Sequence, residues 1–501
     1  MEPVVIPPST VTRLPTAVLP PTDSTPSFTI QSINKSFKHQ YANIYFVRLR
    51  LLKPCIEKEA TKKWKDYGNP KLVPRVLDVI KGQVCFIIGT VYMDMPLKPN
   101  VLVDIGRDHT IPAPPPPEKI HSQDDRVMLE DESGRIRLIG KVLEDTPLVT
   151  GVIVGVLGAE TSNGDFEAIG LCFPGMAPLA GEDDRMDTDD ISGTSTDSSS
   201  GAKNEYVAFI SGLDIGSSPV SEAQTQVLVD YLTGACGDLD GQCFASQISR
   251  LVVLGNSLAP LGPAGGAVDE EKEREDKKSR RHGNDISFSP HPVQNLSAHL
   301  HDLSQSMAIH ILPGESDPSG TILPQQALPR AMLGHASSFA SFSCETNPTY
   351  IRLSSGAHGG DGNVDSASLA SSGTTPIRTI LATSGQPLND MCKYVPTVAT
   401  TRLTLAEATL KWRHIAPTAP DTLWCHPFFT IDPFVIAETP DIYAIGCQPR
   451  FATRLVEEGK RRSRVILVPS FAQTGILVLV GLKSLDVRIV RLTDDILAHS
   501  A

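Results

Sequence analysis

The chain has 501 residues, a hydrophobic fraction of 40% and a net charge of −12, enough for two or three domains with sizeable cores. A protein that binds duplex DNA through its phosphates normally carries a basic excess, so the net charge argues against that class. The acidic balance instead fits protein partners, a local basic patch hidden in the average charge, or a charge that only keeps the protein soluble. The nine cysteines form no CxxC pair and no histidine cluster has zinc spacing, which predicts buried reduced thiols in an intracellular protein and no metal or iron–sulfur site.

The N-terminal region divides into a tail and a helix. Residues 1–27 are rich in proline, serine and threonine and contain no continuous apolar stretch, which predicts a flexible segment without a signal peptide. Apolar and aromatic residues recur at helical spacing over 28–52, which predicts a docked N-terminal helix. We place the tail at 1–36 and begin the first folded domain at 37. No stretch of the chain reaches the roughly 20 apolar residues of a membrane span, so no membrane association is expected.

Short strands follow from about Gly82. Turn sequences at 131–134 and at Asn163-Gly164 separate pairs of β-rich segments. Five short strands with such turns favour an oligonucleotide/oligosaccharide-binding (OB-fold) β-barrel over 37–175, interrupted by a stiff polyproline loop at 112–117. The predicted strands are 84–93, 126–129, 135–139, 148–157 and 166–172.

A layered domain is predicted at 204–501, after a linker at 176–203 whose acidic and serine-rich part, 181–201, cannot form a core. A disordered insertion is expected at about 262–285 and a loose loop at 356–365. Strands alternate with amphipathic helices in this domain, which indicates helices outside a buried sheet. The strands are predicted at 206–211, 251–254, 307–311, 379–383, 442–445, 465–468 and 475–480, and the helices at 221–232, 293–305 and 403–413.

Polar loops follow several of these strands, where crevices of layered sheets form sites. Their order and setting resemble the five metal-ligand loops of calcineurin-like phosphoesterases, which carry Asp-x-His, Gly-Asp, Gly-Asn-His-Asp/Glu, a lone His and Gly-His-x-His. The loops of this chain are Ser211-Gly212-Leu213, Gly255-Asn256-Ser257, Gly314-Glu315-Ser316-Asp317, Cys425-His426-Pro427 and Gly446-Cys447-Gln448-Pro449.

The resemblance implies that most ligands of the phosphoesterase family have been replaced. Two divalent metals about 3.5–4 Å apart need clamping Asp and His side chains to activate a bridging water. Side chains of leucine and proline offer no lone pair, and only His426 and Asp317 keep ligand-capable atoms. We therefore predict no catalytic residue, metal or cofactor, and an active metallophosphoesterase would need ligands from elsewhere. The degenerate positions are Ser211, Leu213, Asn256, Glu315, Ser316, Asp317, His426, Cys447 and Pro449.

His426 and Cys447 also have structural interpretations. His426 lies in sequence among Trp424, Phe428 and Phe429, an apolar setting in which a histidine commonly bonds a backbone carbonyl. Cys447 fits a small buried side chain.

A wider resemblance covers about 37–492, apart from the three loose segments. The chain resembles the small (second, B) subunits of DNA polymerase delta, within the B-subunit family of DNA polymerases alpha, delta and epsilon. The segments that carry it include Met95-Pro96-Leu97-Lys98-Pro99, Leu129-Glu130-Asp131-Glu132-Ser133-Gly134-Arg135-Ile136, Pro313-Gly314-Glu315-Ser316-Asp317-Pro318, Leu323-Pro324-Gln325-Gln326 and, most specific, His414-Ile415-Ala416-Pro417-Thr418-Ala419-Pro420-Asp421-Thr422-Leu423.

This resemblance implies an α+β multidomain protein: an OB-fold barrel joined to an inactive calcineurin-like phosphoesterase α/β sandwich. The implied function is a non-catalytic scaffold of DNA polymerase delta in the nucleus, serving DNA replication and repair. The implied partners are the cysteine-rich C-terminal domain of the catalytic subunit, the third subunit of the polymerase and, in some organisms, the catalytic subunit of polymerase zeta. The chain would contact DNA mainly as part of the polymerase complex.

A barrel that binds single-stranded DNA directly is the main alternative. Such a barrel needs a basic groove with stacking aromatic residues. Between Gly82 and Phe173 acidic residues outnumber basic ones, and Phe86 and Tyr92 lie in an apolar strand pattern typical of a core. Two basic clusters lie at 277–281 and 460–464. Either could be a nuclear-import signal or a contact to the DNA backbone, and the first could also be part of a solvated linker.

Overall fold

A computed structural model describes residues 12–31, 38–68, 70–99, 117–179, 205–236, 239–260, 290–355, 377–396 and 402–492. These residues form a closed five-stranded barrel and a sandwich of two six-stranded sheets. Across these ranges no helix combines the length and apolar character needed to cross a membrane. The predicted insertion at 262–285, the loop at 356–365, residues 112–116 of the proline loop and residues 180–203 of the predicted linker lie outside the described residues.

Residues 12–31 are docked, which corrects the prediction of a flexible tail for this part of 1–36. Strand β1 (Thr16–Leu19) pairs with a strand of the sandwich. Arg13 donates to the carbonyl oxygens of Ala245, Ile248 and Leu232. The apolar pattern gave no sign of this docking because backbone groups and a single guanidinium make most of the contacts.

Helix α1 (Ala42–Lys63) confirms the docked N-terminal helix but not its predicted bounds of 28–52. Phe28 belongs to the extended segment before the helix and is buried elsewhere. The buried residues of α1 recur every three or four positions, as required of a helix with one apolar face. That face packs on the barrel through Leu49, Leu52, Ile56 and Ala60.

The barrel has the strand order β2-β3-β4-β6-β5, with β4 and β6 parallel where the barrel closes. The predicted turn at 131–134 is confirmed, because the Asp131 carboxylate accepts hydrogen bonds from the N–H groups of Ser133 and Gly134 at 2.7 and 3.1 Å. The five strands are β2 (Cys85–Asp94), β3 (Arg126–Glu130), β4 (Arg135–Ile139), β5 (Ile153–Glu160) and β6 (Phe166–Cys172).

Strand β5 begins later than the predicted strand at 148–157. The chain turns at Gly151, whose φ of +89° lies in the left-handed region that favours glycine. A Cβ atom on Gly151 would lie 1.9 Å from the carbonyl oxygen of Pro417 in the sandwich. Residues 148–152 are therefore a turn pressed against the second domain rather than the start of a strand.

The first sheet of the sandwich has the order β1-β11-β12-β13-β15-β14, and the second has the order β10-β9-β8-β7-β16-β17. Strands β12, β13 and β15 run parallel, as do β7 to β10. The strands are β7 (Tyr206–Ile210), β8 (Ile248–Leu254), β9 (Ala308–Leu312), β10 (Phe342–Cys344), β11 (Thr349–Ser355), β12 (Ile377–Thr383), β13 (Ile442–Gln448), β14 (Ala452–Glu458), β15 (Arg461–Pro469), β16 (Ile476–Gly481) and β17 (Val487–Arg491).

Alternating residues divide the core of this domain into layers. On β7, Val207 and Phe209 face the core between the two sheets, whereas Ala208 and Ile210 face helices on the outside of the second sheet. The outer face of the first sheet packs against further helices and the barrel. The helices are α2 (Pro219–Thr233), α3 (Leu239–Ala245), α4 (His291–Ser304), α5 (Gln386–Tyr394), α6 (Arg402–Trp412) and α7 (Phe471–Thr474).

The predicted linker at 176–203 begins too early. Met176 and Ala177 are fully buried. The carbonyl oxygen of Met176 accepts hydrogen bonds from Arg413 at 3.0 Å and Arg461 at 2.7 Å. The Ala177 carbonyl accepts from the Thr439 hydroxyl at 2.6 Å. Met176 and Ala177 therefore dock the end of the barrel on the sandwich, through partners distant in sequence that no local pattern predicts.

Candidate functional site

The carboxyl ends of β7, β8 and β9 meet those of β12 and β13 at one place between the two sheets, which we call the crevice. The Gly212 N–H donates to the Gly255 carbonyl at 2.9 Å. The Cys447 N–H donates to Ser211 Oγ at 2.9 Å. A Cβ on Gly314 would lie 2.2 Å from the backbone nitrogen of Asn256. Four of the five loops selected from the sequence therefore lie in contact with one another.

Ser211 and Leu213 have structural roles in the first loop. Ser211 is fully buried, and its hydroxyl lies 3.1 and 3.0 Å from the carbonyl oxygens of Val468 and Pro469, to which it donates. Leu213 is 3% exposed and packs in the core between the second sheet and its helices. The Ser211 hydroxyl is therefore hydrogen-bonded to backbone groups, and the Leu213 side chain has no lone pair with which to bind a cation.

Asp317 fastens the third loop to the second. Its carboxylate accepts hydrogen bonds from the N–H groups of Leu258 and Gly314 at 2.9 and 2.8 Å. Burial raises the pKa of Asp317, against the opposing effect of these donors. Ser316 donates its hydroxyl to the Leu258 carbonyl at 2.6 Å, and Asn256 Oδ1 accepts from the Ser316 N–H at 3.3 Å. These polar atoms hold the loops together.

The last loop contributes a protonated thiol. Cys447 has a φ of +51°, and its Sγ lies 3.7 Å from the Leu254 carbonyl oxygen. Burial, and then the nearby acidic groups of Asp317 and Asp214, raise the pKa of the Cys447 thiol well above its usual range. A thiol in that state is a poor metal ligand and a poor nucleophile. Pro449 is exposed, as is Glu315 of the third loop.

Asp214 is a crevice residue that sequence reasoning missed. Burial raises the pKa of its half-buried carboxyl group, which accepts a hydrogen bond from Ser470 Oγ at 3.3 Å. Asp214 follows the loop predicted from the sequence by one residue, and its φ of +46° places it in a turn. The one feature of the sequence that could have pointed to Asp214 is its position directly after Leu213, the last residue of the first predicted loop.

The structure places Ser384, rather than His426, at the end of β12, and this corrects the choice of the fourth loop. A Cβ on Gly255 would lie 2.5 Å from the Ser384 Cβ, inside the crevice. His426 lies in a separate cavity of about 440 Å³ together with Phe28, Phe428 and Phe429. The error arose because Ser384 offers no ligand type that would mark it in the sequence.

Neutral polar side chains cross-link the crevice in a cluster that we call the amide network: Gln325, Asn347, Ser384 and Gln386. Asn347 is fully buried, and its Nδ2 lies 2.7 Å from Gln325 Oε1, 2.6 Å from Ser384 Oγ and 2.9 Å from Gln386 Oε1. Gln325 donates to the Gly314 carbonyl at 3.1 Å, and Gln448 donates to the Gly446 carbonyl at 3.0 Å.

The amide network therefore ties both sheets together at the point where the family resemblance would put metals. In the described part of the chain, no group of three or more His, Cys, Asp or Glu residues is arranged to hold a metal ion.

A second polar cluster joins the barrel to the sandwich. Arg48 of α1 is fully buried, and its Nε donates to Asp432 Oδ2 at 2.8 Å. Its other nitrogens donate to the carbonyl oxygens of Gly151, Pro417 and Ala419 at 3.0, 2.8 and 2.9 Å. One guanidinium thus satisfies acceptors from the barrel turn and from two segments of the sandwich.

The charge of this cluster is balanced. Although burial alone would raise the pKa of Asp432, Arg48 and His414 hold it well below its usual range. Burial, with a contribution from Arg48, lowers the pKa of His414 to about 4, so this histidine is neutral near pH 7. His414 Nε2 lies 2.9 Å from Asp432 Oδ2. The cluster holds one cation and one anion, which limits the cost of burying them.

Lys98 and Asp421 form a second link between the two domains. Lys98 Nζ lies 2.5 Å from Asp421 Oδ2, and Tyr394 donates its hydroxyl to the same oxygen at 3.0 Å. Around these links one hydrophobic core runs from Val91 and Leu129 of the barrel to Met391 and Trp412 of the sandwich. Barrel and sandwich are therefore packed as one body.

Comparisons with known proteins agree along most of the chain. A family described as the OB-fold domain of a DNA polymerase delta subunit matches residues 40–170. A family described as the B subunit of DNA polymerases alpha and epsilon matches residues 207–357 and 376–453. The first match identifies the barrel as an OB-fold, which confirms that part of the predicted fold.

Relatives of this chain match over nearly their full length. A DNA polymerase delta small subunit of Arabidopsis thaliana is 34% identical, with 89% of this chain and 90% of the relative covered. The DNA polymerase delta small subunit of Saccharomyces cerevisiae is 31% identical, with 91% and 90% covered. DNA polymerase delta subunit 2 of Drosophila melanogaster is 30% identical, with 92% and 94% covered. The chain belongs to the family of DNA polymerase delta small subunits.

Proposed function

We propose that this chain is a non-catalytic accessory subunit of DNA polymerase delta, working in the nucleus in DNA replication and repair. It would bridge the cysteine-rich C-terminal domain of the catalytic subunit and the third subunit. The observation that carries the proposal is the continuous packing of barrel and sandwich around Arg48. A rigid two-domain body can hold two partners at a fixed separation, whereas two tethered domains could not.

The sandwich is proposed to be an inactive calcineurin-like phosphoesterase domain. This interpretation is supported by the crevice at the carboxyl ends of parallel strands from two facing sheets. The side chains of the crevice support the loss of activity, since Ser211 bonds backbone carbonyls, Leu213 packs in the core and Cys447 stays protonated. An active metallophosphoesterase is the contrary hypothesis, and it would require ligands that these loops do not offer.

Direct binding of single-stranded DNA by the barrel has little support from its aromatic residues. Phe86 and Phe166 are buried in the barrel. The ring of Tyr92 is covered by Lys98 and Arg135, whose charged groups lie 4.8 and 4.1 Å from its centroid. Two of these rings are therefore closed to bases, and the third already has two cations over it, which disfavours stacking with bases. Contact with DNA is therefore proposed to occur mainly through the assembled polymerase.

Partner subunits are also favoured by the exposed apolar surface. Trp424, Phe429 and Ile431 are 69, 53 and 55% exposed, and all three lie close together in sequence between β12 and β13. Large aromatic side chains in water are unusual on a chain that works alone. Their exposure is explained if a partner subunit covers these side chains in the assembled complex.

Bridging is tested by capture from purified components. A tagged C-terminal domain of the catalytic subunit should retain the third subunit on resin only when this chain is present, because the chain supplies both contacts. The matched control omits this chain and keeps every other component. Capture of the third subunit without this chain, or failure of this chain to bind either protein, would contradict the proposal. The same capture with the C-terminal domain of the polymerase zeta catalytic subunit tests whether that partner is shared.

A further inference from the structure

Residues 12–31 cross three parts of the molecule before the chain enters the barrel. The Leu14 N–H donates to the Ser246 carbonyl at 3.3 Å, beside the three carbonyl oxygens that bind the Arg13 guanidinium. Burial lowers the pKa of Arg13 to about 10, still far above neutral pH, so its charge is retained. This end of the segment is fixed at the helical layer of the second sheet.

The middle of the segment bridges the two sheets. Strand β1 pairs antiparallel with β11, from Thr16 opposite Ser355 to Leu19 opposite Arg352, and so forms the edge of the first sheet. At the same place Arg250 of the second sheet donates to the Thr16 carbonyl and hydroxyl at 3.0 and 3.2 Å. One short strand therefore bonds to both sheets.

The far end of the segment reaches the junction with the barrel. Ser24 donates to the buried Glu438 carboxylate at 2.5 Å. The ring of Phe28 stacks with those of Tyr350 and Phe434, at centroid distances of 5.7 and 6.3 Å. Phe434 in turn donates its N–H to Asp432, the partner of Arg48. This end thus touches the residues that join the two domains.

These contacts have the form of a peptide bound to a groove. Backbone pairing along a sheet edge supplies affinity, and a charged and an aromatic anchor at the two ends supply specificity. The bonds that the segment makes to itself are local, at the turn of Thr22 and Thr25 and between Ser27 and Thr29. Its place is determined by the sandwich rather than by its own fold.

We propose that residues 12–31 are a separable strap, an extended peptide that occupies in cis a binding groove along the edge of β11. Its anchors are Arg13 and Phe28. When bound, it holds the two sheets and the barrel junction together. The groove accordingly recognises an extended peptide with an arginine at its start and a phenylalanine near its end.

The strap is tested in the full chain by cutting it after folding. A protease site inserted after Gln31 allows the strap to be severed from the folded protein. Residues 1–31 should remain bound in gel filtration, and a fluorescent synthetic peptide of residues 12–31 should exchange into the groove. Washing out the cut strap should lower Tm, and added peptide should restore Tm in a concentration-dependent way.

Substituted peptides provide the matched comparison. A peptide with Arg13→Ala and Phe28→Ala should bind at least about tenfold more weakly. A peptide with Val18→Thr should bind as the original does, since Val18 is 51% exposed. The proposal is overturned if the cut segment leaves without changing Tm, or if the body unfolds and the peptide does not restore it.

A variant of the uncut chain gives a second readout. Arg13→Ala in the uncut protein should leave the chain folded and speed hydrogen exchange at the amides of β11. Unchanged exchange in β11 would also overturn the proposal.

Discussion

Replacing Arg48 by methionine is expected to lower the free energy of unfolding by about 4 kcal/mol, a typical cost of leaving one partner of a buried ion pair behind. Asp432 would keep a carboxylate in a buried site, and the carbonyl oxygens of Gly151, Pro417 and Ala419 would lose their donor. Methionine fills a similar volume, so the effect reports charge and hydrogen bonds more than a cavity. Urea unfolding followed by tryptophan fluorescence measures it.

The control for this prediction lies on the same helix. Arg50 is exposed, so Arg50→Met should change the free energy of unfolding by less than about 0.5 kcal/mol. Combining Arg48→Met with Asp432→Leu removes both charges and should cost less than Arg48→Met alone. If Arg48→Met behaved like Arg50→Met, the junction would not depend on this cluster.

Replacing Asn347 by leucine is expected to cost about 3–4 kcal/mol, because buried polar groups left without partners each cost about 1–3 kcal/mol. Gln325, Ser384 and Gln386 all direct polar atoms at the Asn347 amide, and leucine can neither donate to them nor accept from them. The loss should appear as a lower urea midpoint together with faster hydrogen exchange in the loops after β9 and β12.

Gln294 offers a comparison for the Asn347 variant. It is an exposed amide on α4, and Gln294→Ala should leave the urea midpoint within experimental error. A stable Asn347→Leu protein with unchanged exchange in the crevice loops would show that the amide network contributes little to the sandwich.

The elements with strong local patterns were predictable from the sequence. The strand predicted at 166–172 and the turn at 131–134 match the structure, because alternating apolar residues and a turn sequence act over a few neighbouring positions. Helix α4 was predicted within two residues at each end. Membership of the polymerase delta small-subunit family followed from motifs that include the segment from His414 to Leu423.

Other features depend on contacts between distant residues. Strand β1 has only four residues, too few for a pattern to predict it, and it lies beside Arg250 and Arg13, both bound to carbonyl groups. Ser384 could not be selected from the sequence because serine does not stand out as a former ligand. Arg48 lay within a segment correctly predicted to dock as a helix, yet nothing local showed that its partner would be Asp432.

The crevice is held together by its own hydrogen bonds. The loops that resemble ligand loops meet, and hydrogen bonds among backbone groups and the side chains of Ser211, Asp317 and Asn347 hold them together. Asn347 and Gln325 link the two sheets from within the crevice, so the arrangement stabilises the sandwich.

Metal content and phosphodiesterase activity, measured together on the purified full chain, test most directly our proposal that the sandwich is an inactive phosphoesterase domain. After incubation with Mn²⁺ and removal of free ions, the account predicts far less than one bound ion per chain and no hydrolysis of bis(p-nitrophenyl) phosphate above the blank. Two bound ions per chain with turnover of that substrate would contradict it.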